Sequence, residues 1–152
     1  MPDVAVHPDP VWRDRSDFVI FAKLEDAKWE QLWARKLSER RFMICCIPFF
    51  AYDLALGDEV EVGPAGGKQY VVGRVAAASG HYTFRVWFGD ARDASIRDEV
   101  IAAIRPVGCE FEWSSANLLA IDARTADIAQ NVADYLQTQE DAGRLSYETG
   151  RR

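Results

Sequence analysis

Two helix-period stripes set among strand-period segments constrain this chain more than any other feature. Ile96, Val100, Ile101 and Ile104 recur at short helical spacing, as do Ile128, Val132, Tyr135 and Leu136. Residues spaced this way share one face of an α-helix. Around them the period is two. Tyr82, Phe84, Val86 and Phe88 alternate with Thr83, Arg85 and Trp87, and Cys109, Phe111 and Trp113 alternate with Glu110 and Glu112. Such sets lie on opposite faces of a strand. Residues 118–122 and 145–147 read as two further strands. The punctuation agrees. Asp93 or Ser95 suits the start of the first helix and Thr125 or Asp127 that of the second, because a short oxygen side chain accepts the free N–H groups of a first turn. Pro106 and Gly108 end the first helix, and Gly143 closes the second by entering the left-handed region cheaply. The order β-α-β-β-α-β over residues 79–150 is the ferredoxin-like arrangement. Right-handed crossovers then put both helices on one face of a four-stranded sheet. The face bearing His81, Thr83, Arg85 and Trp87 is expected to stay open.

The amino-terminal part has a different texture. Residues 1–16 hold three prolines and no apolar period, which predicts an extended arm held at Trp12. Residues 17–78 read as five short strands. Residues 18–22 are apolar on both alternations, as in a strand covered on two sides. The 29–35 stretch fits two periods: Trp29, Leu32, Trp33 and Leu37 share a helical face, whereas Trp29, Gln31 and Trp33 share a strand face. A hairpin to 42–47 through the polar 38–41 segment favours the strand. Pro48 breaks the 42–47 run, 59–62 alternates strictly, and 63–67 is a loose glycine turn before a strand at 70–75. Five such strands predict a small barrel-like sheet. The expected fold class is therefore α+β: a β-barrel-like module over 17–78 followed by a ferredoxin-like module over 79–150.

Bulk properties narrow the function. Of 152 residues, 49% are hydrophobic, with five Trp, five Tyr and eight Phe, so a packed core is expected. The net charge of −6 repels a phosphate backbone and argues against nucleic acid. It suits a basic protein partner, or solubility alone. Cys45, Cys46 and Cys109 are odd in number and lack metal-type spacing, and His7 and His81 are the two histidines, so no metal or cofactor is expected. Adjacent Cys45 and Cys46 on a strand point oppositely, which predicts buried thiols rather than a bridge. No apolar run nears the roughly 20 residues of a membrane span, and the first residues do not read as a signal peptide. A cytoplasmic protein is expected.

Two segments carry a resemblance: Ile47-Pro48-Phe49-Phe50-Ala51-Tyr52-Asp53-Leu54-Ala55-Leu56-Gly57-Asp58-Glu59-Val60 and Ser79-Gly80-His81-Tyr82-Thr83-Phe84-Arg85-Val86. With Leu32-Trp33-Ala34 upstream, the chain resembles a bacterial family known as domain of unknown function 4265, over residues 18–148. The resemblance implies a bacterial cytosolic protein and transfers no activity.

Candidate sites each have a plainer structural reading. His81, Thr83, Arg85 and Trp87 on one strand face suit a carboxylate or phosphate, through a guanidinium fork and an imidazole N–H. The plainer reading bonds His81 to a backbone carbonyl and pairs Arg85 with Glu110, Glu112 or Asp122. Phe49, Phe50 and Tyr52 suit a pocket or partner surface, or else a plug for one end of the barrel. Glu110 and Glu112 suit acid–base work, or else a solvated face. A Cys46–His81 nucleophilic pair is conceivable, although a mid-strand thiol is poorly placed for it. No catalytic residue is assigned. The reading is a non-catalytic ligand- or protein-binding regulatory protein, with an immunity-like role against a basic toxin as one form and self-association through sheet edges open to it. The alternative is a small hydrolase or transferase using His81.

Overall fold

The structure, a computed structural model, describes residues 3–90 and 94–152. Among them the chain is mixed α+β, mostly strands with two helices, arranged as two sheets. The first holds β1 (Val4–Ala5), β2 (Phe18–Lys23), β3 (Trp29–Lys36), β4 (Arg41–Ile44), β5 (Glu59–Ala65) and β6 (Lys68–Ala77). The ambiguous 29–35 stretch is a strand. Its buried alternation is Glu30, Leu32 and Ala34, while Trp29, Gln31 and Trp33 take the half-buried side. Two tight turns set the register. Asp26 and Ala27 both have positive φ (57° and 58°), as do Gly66 and Gly67 (55° and 82°). Paired positive φ matches the right-handed twist of a two-residue hairpin. At Gly66 a side chain would also meet Trp29, 2.7 Å from its Cβ.

The barrel-like expectation needs correction. The strand order is β1-β3-β2-β6-β5-β4, and the end of β3 also pairs with β4, so the sheet curls strongly. It is not a true barrel. The parallel β2–β6 ladder contains one pair, Phe21 with Val71, and beyond it residues of both strands line a depression. The expected arm is partly built into the sheet, since Val4 and Ala5 pair in parallel with Trp29 and Glu30.

The second sheet holds β7 (Tyr82–Trp87), β8 (Glu110–Ser115), β9 (Leu118–Ala123) and β10 (Ser146–Thr149), antiparallel in the order β10-β7-β9-β8. Helix α1 (Ser95–Ile104) follows β7, and α2 (Ala126–Asp141) follows β9. Ile96, Val100 and Ile104 of α1 join Val132 and Leu136 of α2 in one core with Phe84, Val86, Leu119 and Ile121. Both helices therefore cover one face, as their stripes predict. Thr125 caps α2 by accepting the Ile128 N–H, and Gly143 takes φ +73° just beyond its end. Ala94 holds the N-cap position of α1; Asp93 lies outside the described residues. Neither helix is long and apolar enough to cross a membrane.

The opposite face of this sheet is not open. The segment after β4 folds across it, and Ile47, Phe49 and Leu56 pack with Ala120 of β9, with Val11 and Trp12 beside them. The small Ala120 leaves room for that layer. Thr83, Arg85, Glu112 and Asp122 are consequently buried beneath it.

Candidate functional site

The covered face contains an ionic cluster that joins the arm to both sheets. Glu30 occupies an apolar-phase position of β3 and is fully buried. Its carboxylate accepts the backbone N–H groups of Phe49 (2.6 Å), Phe50 (3.0 Å) and Ala51 (2.8 Å). Glu112 of β8 accepts the N–H of Ile47 at 2.6 Å and that of Val11 at 3.4 Å. His7 sits between them, with Nε2 2.7 Å from Glu30 and Nδ1 2.8 Å from Glu112. A carboxylate only accepts, so both ring nitrogens carry protons and the ring is an imidazolium. Burial pulls His7 down, but the Cys46 sulfur and the two carboxylates push it up to about 12. Burial also raises the Cys46 thiol and keeps it protonated, so the carboxylates are the lasting cause. Glu30 is pushed up by burial, yet the His7 imidazolium and the N–H groups of Phe49 and Ala51 bring it below the ordinary range. Phe49 stacks on the imidazolium with centroids 3.9 Å apart and planes 11° from parallel. With both nitrogens engaged, His7 has no lone pair for a metal, and no cluster of three or more metal-type ligands exists among the described residues.

His7 and Glu30 escaped the sequence reading. Glu30 left a signal, an acid in phase with Leu32 and Ala34. His7 left none, because the arm has no period to violate. Glu112 corrects an expectation: Glu110 is solvated, but Glu112 is buried because the chain crosses above it. Cys46 lies beside His7, not His81, and all three cysteines are buried and free.

The sequence-predicted residues fall into three places. His81 is not bonded to backbone through its ring; Nδ1 lies 2.8 Å from Asp122, and the ring meets the edge of Trp12. Burial, with Glu110 and Asp58, pushes the Asp122 carboxyl up to about 6 against the opposing pull of His81. Phe49 is buried with His7. Arg85, Tyr52, Phe50 and Trp87 gather at the rim of the junction between the sheets. The Arg85 guanidinium, 3% exposed, donates to the carbonyls of Pro48 (3.4 Å) and Ala51. Its ionic partner is Glu148 of β10 at 3.7 Å, not Glu110, Glu112 or Asp122. The reason is register: Glu148 stands opposite Arg85 across the β10–β7 pair. Thr83 Oγ1 and Arg85 Nη1 are buried without a hydrogen bond among the described residues. Tyr52 donates to Glu148 at 2.5 Å, and the guanidinium groups of Arg85 and Arg152 lie over its ring at 4.8 and 4.1 Å.

These rim residues border three depressions. The largest, about 820 Å³, lies between β2, β6, the 50–54 loop and Arg152. Phe50 and Leu24 also line a second, apolar one of 440 Å³ beside β1, reached by the exposed Val6. Glu148 also lines a third, 250 Å³, with Arg85 and the 46%-exposed Trp87. Phe50, 41% exposed, stands between the first two. The first two share Leu24 and Phe50 and the first and third share Glu148, so the three adjoin and are called the trough.

A curled sheet and a helix-backed sheet, locked by a buried His–carboxylate cluster beside a surface trough, define the class of protein. The chain belongs to the family described as domain of unknown function (DUF4265), whose model matches residues 30–147. It is similar to a hypothetical protein from Neisseria gonorrhoeae known from its crystal structure, with TM-score 0.73 and 22% identity over 90% of this chain and 94% of that one. That likeness shows the fold alone. No curated protein matches.

Proposed function

We propose that this chain is a non-catalytic binding protein of the bacterial cytosol whose contact surface is the trough. The supporting observation is convergence. Phe50 and Tyr52, of an apolar loop, and Arg85 and Trp87, of β7, come from segments distant in sequence yet line adjoining depressions that meet at Glu148. A concave surface with apolar walls and a few fixed polar groups is the usual form of a binding site. Arg85, held by two carbonyls, positions the Tyr52 loop; Tyr52, Phe50 and Trp87 make the contact. His81 and Thr83 stand apart from it. The same reading takes the carboxyl-terminal module, residues 79–150, as ferredoxin-like, supported by its βαββαβ order and β10-β7-β9-β8 sheet.

Affinity capture from the native host tests this with a matched pair, the wild type and Phe50→Glu. The exposed Phe50 side chain tolerates the change, and its backbone N–H still serves Glu30. A partner retained by the wild type and lost by the variant is expected. Equal retention removes the trough from the account.

One observation favours a second reading. Asp122 holds the His81 ring by Nδ1, as a carboxylate orients a general base. The three depressions are lined by other residues, which places this reading behind the first. Substrate-class screening of the wild type against His81→Gln decides it: turnover lost in the variant makes the chain an enzyme.

A further inference from the structure

The largest depression has two strand edges for walls, and this carries an inference beyond the bare assignment of a binding trough, on which it rests. After the Phe21–Val71 pair, Ala22 and Lys23 pair with β3, and Val72, Arg74 and Val75 pair with β5. The edges of β2 and β6 that face each other across the gap are left without a ladder partner. Strand edges in this state template another strand. Leu24, Leu54, Val72 and Val75 line the gap, and they are also the half-buried residues packed against the core of the curled sheet. The core is thus exposed on the side where the ladder is interrupted.

We infer that the occupant is an extended segment of a partner protein, inserted as a strand between β2 and β6. The dimensions agree. A residue in packed sheets takes up roughly 160 Å³, from strand rise, strand spacing and sheet spacing, so 820 Å³ holds about five residues. Alternate side chains of the segment would complete the apolar core over Val72 and Val75. Those between them would face Tyr52 and the rim. The charged residues lining the gap balance: Lys23, Arg74 and Arg152 against Glu25, Asp53 and Glu148. Recognition is therefore by backbone ladder and apolar alternation, as in other strand-addition sites, and not by net charge.

The test uses a displayed library of random peptides of about eight residues, panned on the wild type and on Gly73→Phe. Gly73 lines the gap and has ordinary φ, and a Cβ there meets Glu61 carbonyl oxygen at an unstrained 3.6 Å. Thermal melts of both proteins confirm that Gly73→Phe folds. The expected clones alternate apolar residues, bind the wild type equally in low and high salt, and fail on the variant. Resynthesis with alternate backbone amides N-methylated keeps the side chains and removes ladder donors. It is expected to weaken binding at least about tenfold.

Several results overturn the inference. Binding indifferent to N-methylation, but lost in Phe50→Glu, leaves the trough as a binding surface and removes the strand. Basic clones whose binding fades with salt remove it in favour of an immunity-like contact. Equal enrichment on Gly73→Phe, or no enrichment on either protein, also rejects strand insertion. Failure of the trough reading itself is separate: it shows as clones indifferent to both Phe50→Glu and Gly73→Phe.

Discussion

The junction around His7 and the gap between β2 and β6 sit in one small chain but are built oppositely. At the junction, polar groups from the arm, β3, β8 and the 45–51 segment are buried and matched, an imidazolium with two carboxylates and five backbone N–H groups. At the gap, apolar side chains stand half-exposed beneath strand edges without partners. The difference teaches where stability and adaptability reside. A buried charge tolerates little rearrangement, because each member left unpaired carries its full desolvation cost. An apolar gap accepts any strand with suitable alternation. The first ties the arm and the 45–51 segment to both sheets; the second leaves apolar side chains half-exposed.

The contrast can be broken at either end. The largest effect is expected at Glu30. Glu30→Ala strands the His7 imidazolium and three backbone donors, and is expected to cost about 3–5 kcal/mol of unfolding free energy, measured by urea denaturation. A loss below about 1 kcal/mol would make the cluster incidental. Next come paired leucines of the curled sheet. Leu32→Ala, fully buried, is expected to cost about 2–5 kcal/mol, and Leu54→Ala at the gap less than half of that. Equal costs would mean that the gap is as closed as the core.

The pH dependence follows from the cluster. Glu30 lies below its ordinary 4.5, so its stabilisation is present above that pH and is lost as the pH falls through the lower folded value. His7 is raised from 6.5 to about 12, so its stabilisation is complete below 6.5 and is lost as the pH rises towards about 12. Asp122, raised from 3.8 to about 6, contributes below 3.8 and loses its contribution as the pH rises through about 6. Denaturation in a pH series is expected to show stability declining above pH 6.5, and Asp122→Asn should flatten the segment between about 4 and 6. A rise in stability between 6.5 and 9 would contradict the imidazolium assignment. Smaller effects belong to the helical layer. Thr125→Ala removes the α2 cap and is expected to cost about 1 kcal/mol. Arg144→Ala, which breaks the exposed pair with Glu99, should cost about 0.5 kcal/mol or less.

Much of the fold was legible in the residues, for local reasons. The stripes at 96–104 and 128–136 bury one face each, and right-handed crossovers place both helices on one side. The strand at 29–36 was decided by its hairpin partner and not by its own ambiguous pattern. The curl of the first sheet was legible, but its incompleteness was not. A β2–β6 ladder of the single pair Phe21–Val71 is a pairing between distant segments, which no single segment announces. The open underside of the second sheet was misread for a similar reason. Polar alternation at Thr83, Arg85 and Glu112 ordinarily means solvent, and here a chain segment covers that face and supplies partners to Arg85 and Glu112. Tyr52 and Phe50 were noticed for excess apolar mass and do reach the trough. His81 was noticed for its chemistry and lies elsewhere, because its ring is held by Asp122.

Site-resolved amide exchange on the free protein compares the two regions directly. The amides of Phe49, Phe50 and Ala51, bonded to Glu30, are expected to open only with global unfolding, while the alternate amides of 72–75 that β5 does not take exchange at least about a hundredfold faster. Equal protection in both places, or faster exchange at 49–51, would contradict the division into a locked junction and an open gap.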